Sequence, residues 1–295
     1  MQNTPQPNST SQSVGYNPNM SIEPKTIPLV LAIGGHDPSG GAGIQADIEA
    51  IGANGCHAST VTTCLTVQDS CNVMALHPVD PQLILAQAEA ILADCAVSAI
   101  KIGLLGSLGA AEAVIDLLCR HQGVPVVLDP VLSAGGGSDL AGEQLLGVIR
   151  AQLLTRCDLV TPNTHEARRL THQANNGSLE ACARTLLDLG AGAALITGTH
   201  EMVESGDITH RLHRLGHPVS ISVWQRLPGE FHGSGCTLAS AIAARLALGD
   251  VLETAVQRGL EFTWLSLLHG FRSGRCQSLP DRLFLLPRGR QLEDG

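Results

Sequence analysis

Short apolar runs alternate with helical patterns along most of this chain, from residue 27 onward. The runs have the length of buried strands, and the stretches between them space their apolar residues as helices do. Repeated strand–helix units form a mainly parallel sheet with helices on both faces. We expect strands at residues 29–33, 57–65, 97–102, 125–128, 159–161 and 193–197, helices between them at 42–53, 81–94, 107–121, 141–153, 164–171 and 178–189, and closing helices at 234–248 and 251–270.

The segment 207–222 departs from this alternation. A Gly-His-Pro turn separates two short runs there, which predicts two antiparallel strands at the sheet edge. The expected fold class is therefore α/β, with a mainly parallel central sheet, helices on both faces and a small antiparallel edge. Residues 1–26 are rich in Asn, Gln, Ser, Thr and Pro, which predicts a disordered leader. One domain is expected over residues 27–272, followed by a C-terminal tail over 273–295.

The composition restricts the classes of partner. The chain of 295 residues has a formal net charge of −9 and shows no basic stripe, which argues against nucleic acid. No apolar stretch is long and clean enough to span a bilayer, so we expect no membrane partner. The nine cysteines are scattered without a C-x-x-C pair. We interpret most of them as small buried side chains of a cytoplasmic protein, without a disulfide framework.

A glycine-rich loop precedes the first of the two closing helices. Gly233 and Gly235 allow a tight turn, and the helix that follows directs unpaired N–H groups and its positive dipole end at the loop. Such a helix start can hold a phosphate or a developing negative charge. Cys236 lies where the same field favours a thiolate, so the loop offers an anion cradle and a base together. An ordinary glycine-rich helix start is the competing interpretation.

A second glycine-rich loop, residues 34–43, lies between the first predicted strand and the first predicted helix. We interpret it as a second anion cradle. It is not a Walker A loop, because the chain contains no Gly-Lys-Ser/Thr sequence, and its glycine spacing does not match a dinucleotide fingerprint. Asp47 lies one turn into the helix, where it faces either a bound small molecule or solvent.

Polar or glycine-rich clusters recur directly after the predicted strands. Open sheets of this class bind ligands outside the carboxyl ends of their strands, so the recurrence predicts a single cleft along one edge of the sheet. The clusters are residues 34–43, Gln68-Asp69, Gly103, Asp129-Pro130, Thr161-Pro162-Asn163 and Gly198-Thr199.

Several motifs, in this order along the chain, resemble those of a known enzyme family. They are Asp37–Asp47 (DPSGGAGIQAD), Lys101–Leu104 (KIGL), Asp129–Val131 (DPV), Thr161–Glu166 (TPNTHE) and His232–Thr237 (HGSGCT). With them the chain resembles, from about Pro28 to about Gly270, the hydroxymethylpyrimidine/phosphomethylpyrimidine kinases of thiamine biosynthesis, in the ribokinase-like superfamily. Most sugar and nucleoside kinases of the superfamily have Asp in place of Cys236, so the cysteine points to these kinases and to a related group of pyridoxal kinases.

The resemblance implies an activity and a set of site residues. The activity is ATP-dependent phosphorylation of 4-amino-5-hydroxymethyl-2-methylpyrimidine and then of its monophosphate, with Mg²⁺, in a homodimer. The implied catalytic residues are Cys236 as the base and Gly233, Ser234 and Gly235 as N–H donors; the implied substrate contacts are Gly35, Asp47, Gln68, Leu104 and Val131; the implied nucleotide contacts are Asn163, Thr197 and Thr199; and the implied metal contacts are Glu166 and Asp129.

The chain departs from the family pattern at several positions. Asp69 stands where relatives usually carry Asn, and the loop after Val131 lacks a Lys that relatives often have. Thr197 stands in place of a lysine that is expected to meet the nucleotide phosphates, and Lys25 and Lys101 are the only lysines in the sequence. Magnesium, backbone N–H groups or an arginine from elsewhere would then neutralise the phosphates.

Three other functions stay open at this point. One is pyridoxal kinase activity on the same fold, although Gln68 and the small pocket near Leu104 favour an aminopyrimidine. Another is a poorly active, pyrimidine-binding regulatory protein, against which the complete glycine loop around Cys236 argues. The third is a hydrolase that pairs Cys236 with His232.

Overall fold

The computed structural model describes residues 26–133, 140–199 and 206–286. The expected leader lies outside these ranges apart from residue 26, and the expected tail is described as far as residue 286. The domain boundaries themselves stay a prediction. The strands are β1 (Leu29–His36), β2 (His57–Gln68), β3 (Val73–Pro78), β4 (Val97–Ile102), β5 (Val126–Leu128), β6 (Leu159–Val160), β7 (Ala193–Ile196), β8 (Asp207–Arg214) and β9 (Ser220–Gln225).

The helices alternate with the parallel strands. They are α1 (Gly43–Ala53), α2 (Pro81–Asp94), α3 (Leu108–Arg120), α4 (Glu143–Val148), α5 (Thr164–Leu170), α6 (Leu179–Asp188), α7 (Ser234–Ala247) and α8 (Leu252–Leu268). The helix predicted at 141–153 is shorter, because α4 gives way to a π-helical turn at Ile149–Leu153 and a 3₁₀ turn at Leu154–Arg156. No helix in the described ranges has both the length and the apolar character needed to cross a bilayer.

Across the described residues the strands form one sheet in the order β3-β2-β1-β4-β5-β6-β7-β8-β9. The six strands from β2 to β7 in this order run parallel, which confirms the predicted fold class. The hairpin of β8 and β9 is antiparallel, as predicted. The sequence did not predict β3, which pairs antiparallel with β2 at the opposite edge, because its half-exposed residues form no clear pattern.

Two apolar layers cover the faces of the sheet. Successive residues of a strand point to opposite faces, so Leu31 and Ile33 of β1 pack with α2, α3 and α4, whereas Val30 and Ala32 pack with α7 and α8. All four side chains are fully buried. The helices therefore hold the sheet rigidly from both sides, and the loops at its carboxyl edge are left to form a site.

A disulfide joins Cys71, in the turn between β2 and β3, to Cys276, after α8. The sequence did not predict this pair, although a single disulfide does not make a framework. The two residues lie 205 positions apart in the sequence, so only the fold brings them together. Of the other cysteines, Cys56, Cys64, Cys157 and Cys182 are buried, as predicted.

Candidate functional site

A cleft of about 510 Å³ opens at the carboxyl ends of the parallel strands. All fourteen site residues that the resemblance implies line this cleft, although they come from seven separate stretches of the chain. A hollow of similar volume, about 540 Å³, lies at the amino ends of β5 and β6 and contains none of them. The structure therefore brings the predicted residues together; their individual roles stay predictions.

One end of the cleft combines an apolar surface with an amide. A Cβ added at Gly35 would lie 3.1 Å from Leu104 Cδ2 and 2.9 Å from Cys64 Sγ, so the backbone of Gly35 packs closely beside Leu104. Gln68 is the last residue of β2, and its amide donates to the carboxylate of Asp37. Val131 lies in a tight turn, since its N–H donates to the Asp129 carbonyl at 2.8 Å. This end suits a small, flat heteroaromatic molecule.

Asp47 and Lys101 form a fully buried ion pair below the centre of the cleft. Lys101 Nζ lies 2.7 Å from Asp47 Oδ1, and both side chains are 0% exposed. The hydroxyl of Ser240 donates to the same oxygen at 2.7 Å, whereas Asp47 Oδ2 has no partner among the described residues. The solvent-facing alternative for Asp47 is therefore wrong, and its contact with a ligand stays a prediction. Burial acts to lower the pKa of Lys101, but Asp47, Cys236 and Asp129 outweigh it and raise the pKa above its ordinary value.

Cys236 lies where the starts of two helices meet. The N–H of Gly43, the first residue of α1, donates to its sulfur, and its own thiol donates to Asp129. Burial, together with the carboxylates of Asp129 and Asp47, raises the pKa of the Cys236 thiol to about 12, although Lys101 acts in the opposite direction. The expectation of a thiolate is therefore wrong. The helix field is outweighed because the thiol is removed from water beside acidic groups.

Asp129 and Glu166 place two carboxylates beside the start of α7. Glu166 belongs to a capping box with Asn163, in which the Asn163 N–H donates to Glu166 Oε2 at 2.9 Å. Burial and the charge of Asp129 raise the pKa of Glu166 to about 8, and burial also raises the pKa of Asp129. Asp129 Oδ2 is buried and has no hydrogen-bond partner in the described residues.

These two carboxylates fit a magnesium ion. Mg²⁺ prefers oxygen ligands and usually takes one or two protein carboxylates, with waters and phosphate oxygens completing the shell. No group of three or more His, Cys, Asp or Glu side chains in the described ranges is arranged to hold a metal by itself. The mutual repulsion of Asp129 and Glu166, which a bound cation would relieve, supports the fit.

The opposite end of the cleft is formed by Asn163, Thr197 and Thr199. Asn163 and Thr197 are paired across neighbouring strand ends, and the N–H of Thr197 donates to the Pro162 carbonyl at 2.9 Å. The Thr199 carbonyl accepts a hydrogen bond from Arg226 Nη1 at 2.9 Å. Arg226 was not predicted from the sequence, where its only signal is its place two positions after Trp224, directly after β9.

In the first glycine-rich loop, the N–H groups are bound by the carboxylate of Asp37, a residue of the same loop. The carboxylate of Asp37 accepts the N–H groups of Ser39 and Ala42 at 2.8 and 2.7 Å, the Ser39 hydroxyl at 2.7 Å, and a bond from His232 Nε2 at 3.0 Å. Burial opposes ionisation, but these bonds hold the pKa of Asp37 below its ordinary range. The prediction that this loop is a second anion cradle is therefore wrong, because an internal carboxylate occupies the N–H groups.

The hydrogen bond between His232 Nε2 and Asp37 fixes the position of the His232 ring. Its ring is oriented by Asp37, whereas Cys236 is hydrogen bonded to Asp129 and Gly43. The pair that a Cys–His hydrolase needs is therefore not formed among the residues described.

Arg282, which the sequence did not single out, connects the two glycine-rich loops. Its side chain is 1% exposed. The guanidinium donates to the carbonyls of Gly40 and Gly41 in the first loop, and Nε donates to Thr237 Oγ1 in α7 at 2.8 Å. It also forms an ion pair with Glu49, at 3.0 Å.

Comparisons with known proteins agree with this geometry. The family model described as phosphomethylpyrimidine kinase matches residues 37–280. The hydroxymethylpyrimidine/phosphomethylpyrimidine kinase of Mycobacterium tuberculosis is 37% identical over 265 residues, which cover 88% of this chain and 96% of that protein. The chain spans about half the length of two longer relatives, the thiamine biosynthesis bifunctional protein ThiED of Geobacter sulfurreducens (48%) and a probable thiamine biosynthetic bifunctional enzyme of Oryza sativa (44%).

Two solved structures share the fold. The pyridoxal kinase of Bacillus subtilis, solved as an ADP complex, superposes with a TM-score of 0.80 at 26% identity and covers 88% of this chain and 99% of its own. The phosphomethylpyrimidine kinase of Clostridium difficile superposes with a TM-score of 0.69 at 28% identity, over 82% of this chain and 100% of its own.

Proposed function

The chain belongs to the phosphomethylpyrimidine kinase family, and we propose that it transfers a phosphoryl group from ATP to 4-amino-5-hydroxymethyl-2-methylpyrimidine and then to the monophosphate. One observation carries the proposal. Cys236 and the start of α7 share a cleft with Gln68, Gly35 and Leu104, which supports binding of an acceptor alcohol beside an anion-binding helix start. The homodimeric state and the cytoplasmic location stay predictions.

Phosphoryl transfer needs positioning and charge stabilisation more than covalent chemistry by the protein. In the described residues, no side chain caps the start of α7, where Gly233 has φ 83°. The backbone N–H groups of Ser234, Gly235 and Cys236 therefore point to where charge develops on the transferred group, and they stabilise it without reorganisation.

The proton of the hydroxymethyl group passes to Cys236. The Cys236 thiol holds its own proton and donates to Asp129. Once the thiol has lost that proton to water, the thiolate can take the proton of the attacking hydroxyl, and the buried Lys101 compensates the negative charge. Cys236 thus acts as the base.

ATP and magnesium belong to the proposal. Asn163, Thr197 and Thr199 would contact the nucleotide at the end of the cleft away from Gln68. Asp129 and Glu166 would hold Mg²⁺, which when bound neutralises phosphate charge. Asp47 Oδ2 and the Gln68 amide would hydrogen-bond the aminopyrimidine, which packs against Leu104 and Val131.

The Cys236→Ala variant tests the base. The first acceptor is an alcohol, whereas the second is a phosphate monoester with a second pKa of about 6, already mostly ionised at neutral pH. We expect a loss of about 100-fold or more in kcat for the first step and a much smaller loss for the second. Cys95→Ala, outside the cleft, is the matched control. Equal losses in both assays would refute the assignment of Cys236.

Pyridoxal should be assayed beside the two pyrimidines, with magnesium present and withheld. The higher TM-score of the pyridoxal kinase structure is the observation that keeps this second substrate open. A kcat/KM for pyridoxal above that for the pyrimidine alcohol would replace the proposed substrate while leaving the kinase mechanism intact.

A further inference from the structure

A short segment that follows α8 lies between two walls of the cleft. On one side, the Gln277 N–H donates to the carbonyl of Ser70, in the turn after β2, at 3.2 Å. On the other side, the Ser278 N–H donates to the Glu230 carbonyl and the Ser278 carbonyl accepts the His232 N–H, both at 2.9 Å. The segment therefore joins the turn that follows β2 to the loop that leads into α7.

A disulfide fixes this segment to the turn after β2. Cys276, which directly precedes Gln277, is bonded to Cys71. The Cys276 N–H also donates, at 3.4 Å, to the hydroxyl of Ser70, which is a buried residue. The backbone of Gln277 is therefore held on both sides, which is how a binding side chain is positioned before its ligand arrives.

Gln277 contributes an unpaired side-chain amide to the cleft. The residue lines the cleft and is partly exposed. Its amide forms no hydrogen bond with the residues that the structure describes. The amide of Gln68, by contrast, already donates to the Asp37 carboxylate. An unpaired amide offers two N–H donors and a carbonyl acceptor to a ligand.

The charge of the acceptor differs between the two proposed phosphorylations. The first acceptor is an alcohol, whereas the second carries a phosphate that is mostly doubly charged at neutral pH. Two carboxylates line the cleft beside the segment: Asp37, which accepts N–H groups and His232, and Glu230, which is exposed to solvent. Lys101 is already paired with Asp47. A phosphate bound here therefore needs further hydrogen-bond donors.

We propose that Gln277 binds the phosphate of the monophosphate acceptor, with its amide N–H groups donating to phosphate oxygens. The inference rests on the proposed function, because it takes the pyrimidine ring to lie at Gln68 and the reacting oxygen at the start of α7. The segment that carries Gln277 is bonded to the turn after Gln68 and to the loop before α7, so it lies beside both positions. Gln277 thus favours the second acceptor, whereas the uncharged first acceptor binds without it.

Two substitutions test the amide. Gln277→Ala removes it, and Gln277→Glu keeps its size but replaces its donors by a carboxylate that repels a phosphate. We expect the Kd of the monophosphate, measured by calorimetry without ATP, to rise about 10-fold in Gln277→Ala and further in Gln277→Glu, while the Kd of the pyrimidine alcohol stays within about 2-fold of the wild type. Gln87→Glu, at an exposed position of α2 outside the cleft lining, is the matched control and should change neither Kd.

The outcomes separate this inference from the proposed function. If the wild-type protein phosphorylates both acceptors and the two Gln277 variants bind the monophosphate as tightly as it does, the inference is overturned and the proposed function stands. If the wild-type protein binds the monophosphate in a manner that both substitutions weaken but phosphorylates neither acceptor, the inference stands and the proposed function fails. Equal weakening of alcohol and monophosphate binding would show a structural role and overturn the phosphate assignment.

Discussion

The two glycine-rich loops of this protein both present backbone N–H groups, but in one loop a carboxylate accepts them and in the other no described side chain does. The loop at residues 37–43 places the Asp37 carboxylate on its own N–H groups, and Asp37 is 3% exposed there. The loop at 231–236 leads into α7, whose start no described side chain caps. A glycine pattern therefore predicts a set of convergent N–H groups but not what occupies them. An acidic residue at the head of a loop can satisfy the loop internally, which leaves only the other loop to bind an anion.

The loops also touch, and the contact gives the prediction with the largest effect. Gly233 has φ 83°, and a Cβ added there would overlap the carbonyl oxygen of Gly41. Gly40 has φ 74° with open space around its added Cβ. We expect Gly233→Ala to lower kcat roughly 100-fold or more, since it displaces the N–H donors of α7. Gly40→Ala, the matched control, should cost about 1 kcal/mol of folding free energy for its positive φ and keep most of the activity. Steady-state kinetics with the pyrimidine alcohol measures both; similar kcat values would show that the loops need not touch.

Substitution of Arg282 tests whether the loop around Asp37 supports the loop before α7. Arg282→Lys keeps the charge but loses the fork that reaches Gly41 and Thr237 together. We expect a loss of about 2 kcal/mol in unfolding free energy, because buried carbonyls lose their donor, and a roughly 10-fold lower kcat with an unchanged KM for the acceptor. Arg275→Lys, at an exposed position nearby, should change neither quantity. Urea unfolding measures the stability of both variants, and initial rates measure their kcat and KM. If Arg282→Lys behaved like Arg275→Lys in both measurements, the two loops would be independent.

Asp37→Asn tests the internal anion itself, and its expected effect is on stability alone. The pKa of Asp37 is lower in the folded protein than its ordinary value, so its stabilising contribution is present above about pH 4 and is lost as the pH falls. We expect the variant to be about 2 kcal/mol less stable than the wild type at pH 7, and the difference to shrink as the pH falls towards 3. Asp188→Asn, on an exposed helix position, is the control. A gap between wild type and Asp37→Asn that is independent of pH would mean that the carboxylate charge does not hold the loop.

Much of the fold was predictable because it depends on local patterns. The apolar runs predicted β1, β2, β4, β5, β6 and β7 in a mainly parallel sheet, and the Gly-His-Pro turn predicted the β8–β9 hairpin. The order of the strands in the sheet was not predicted. The strand β3 was missed because its residues are only half buried, so no alternation marks it. The position of the cleft was predicted because glycine and polar clusters follow the strands, and parallel strands end at one edge. The individual site residues were implied by the resemblance, and their roles stay predictions.

The electrostatic state of the site was not predictable in the same way. A helix start favours a thiolate at Cys236, yet burial beside Asp129 raises the thiol pKa to about 12. Which of these effects is larger depends on desolvation and on the charges of Asp129, which follows β5, and of Asp47 in α1. Neither quantity can be derived from the residues around position 236.

The sequence by itself determined the order of strands and helices along the chain and the edge of the sheet where the cleft opens, because apolar spacing and turn residues act over short distances along the chain. Only the tertiary structure decided which charges meet. Lys101 pairs with Asp47 across 54 positions, Arg282 reaches Gly41 across 241, and Cys71 bonds to Cys276 across 205. Such contacts depend on distance and burial in three dimensions, and the spacing of residues along a chain does not encode either.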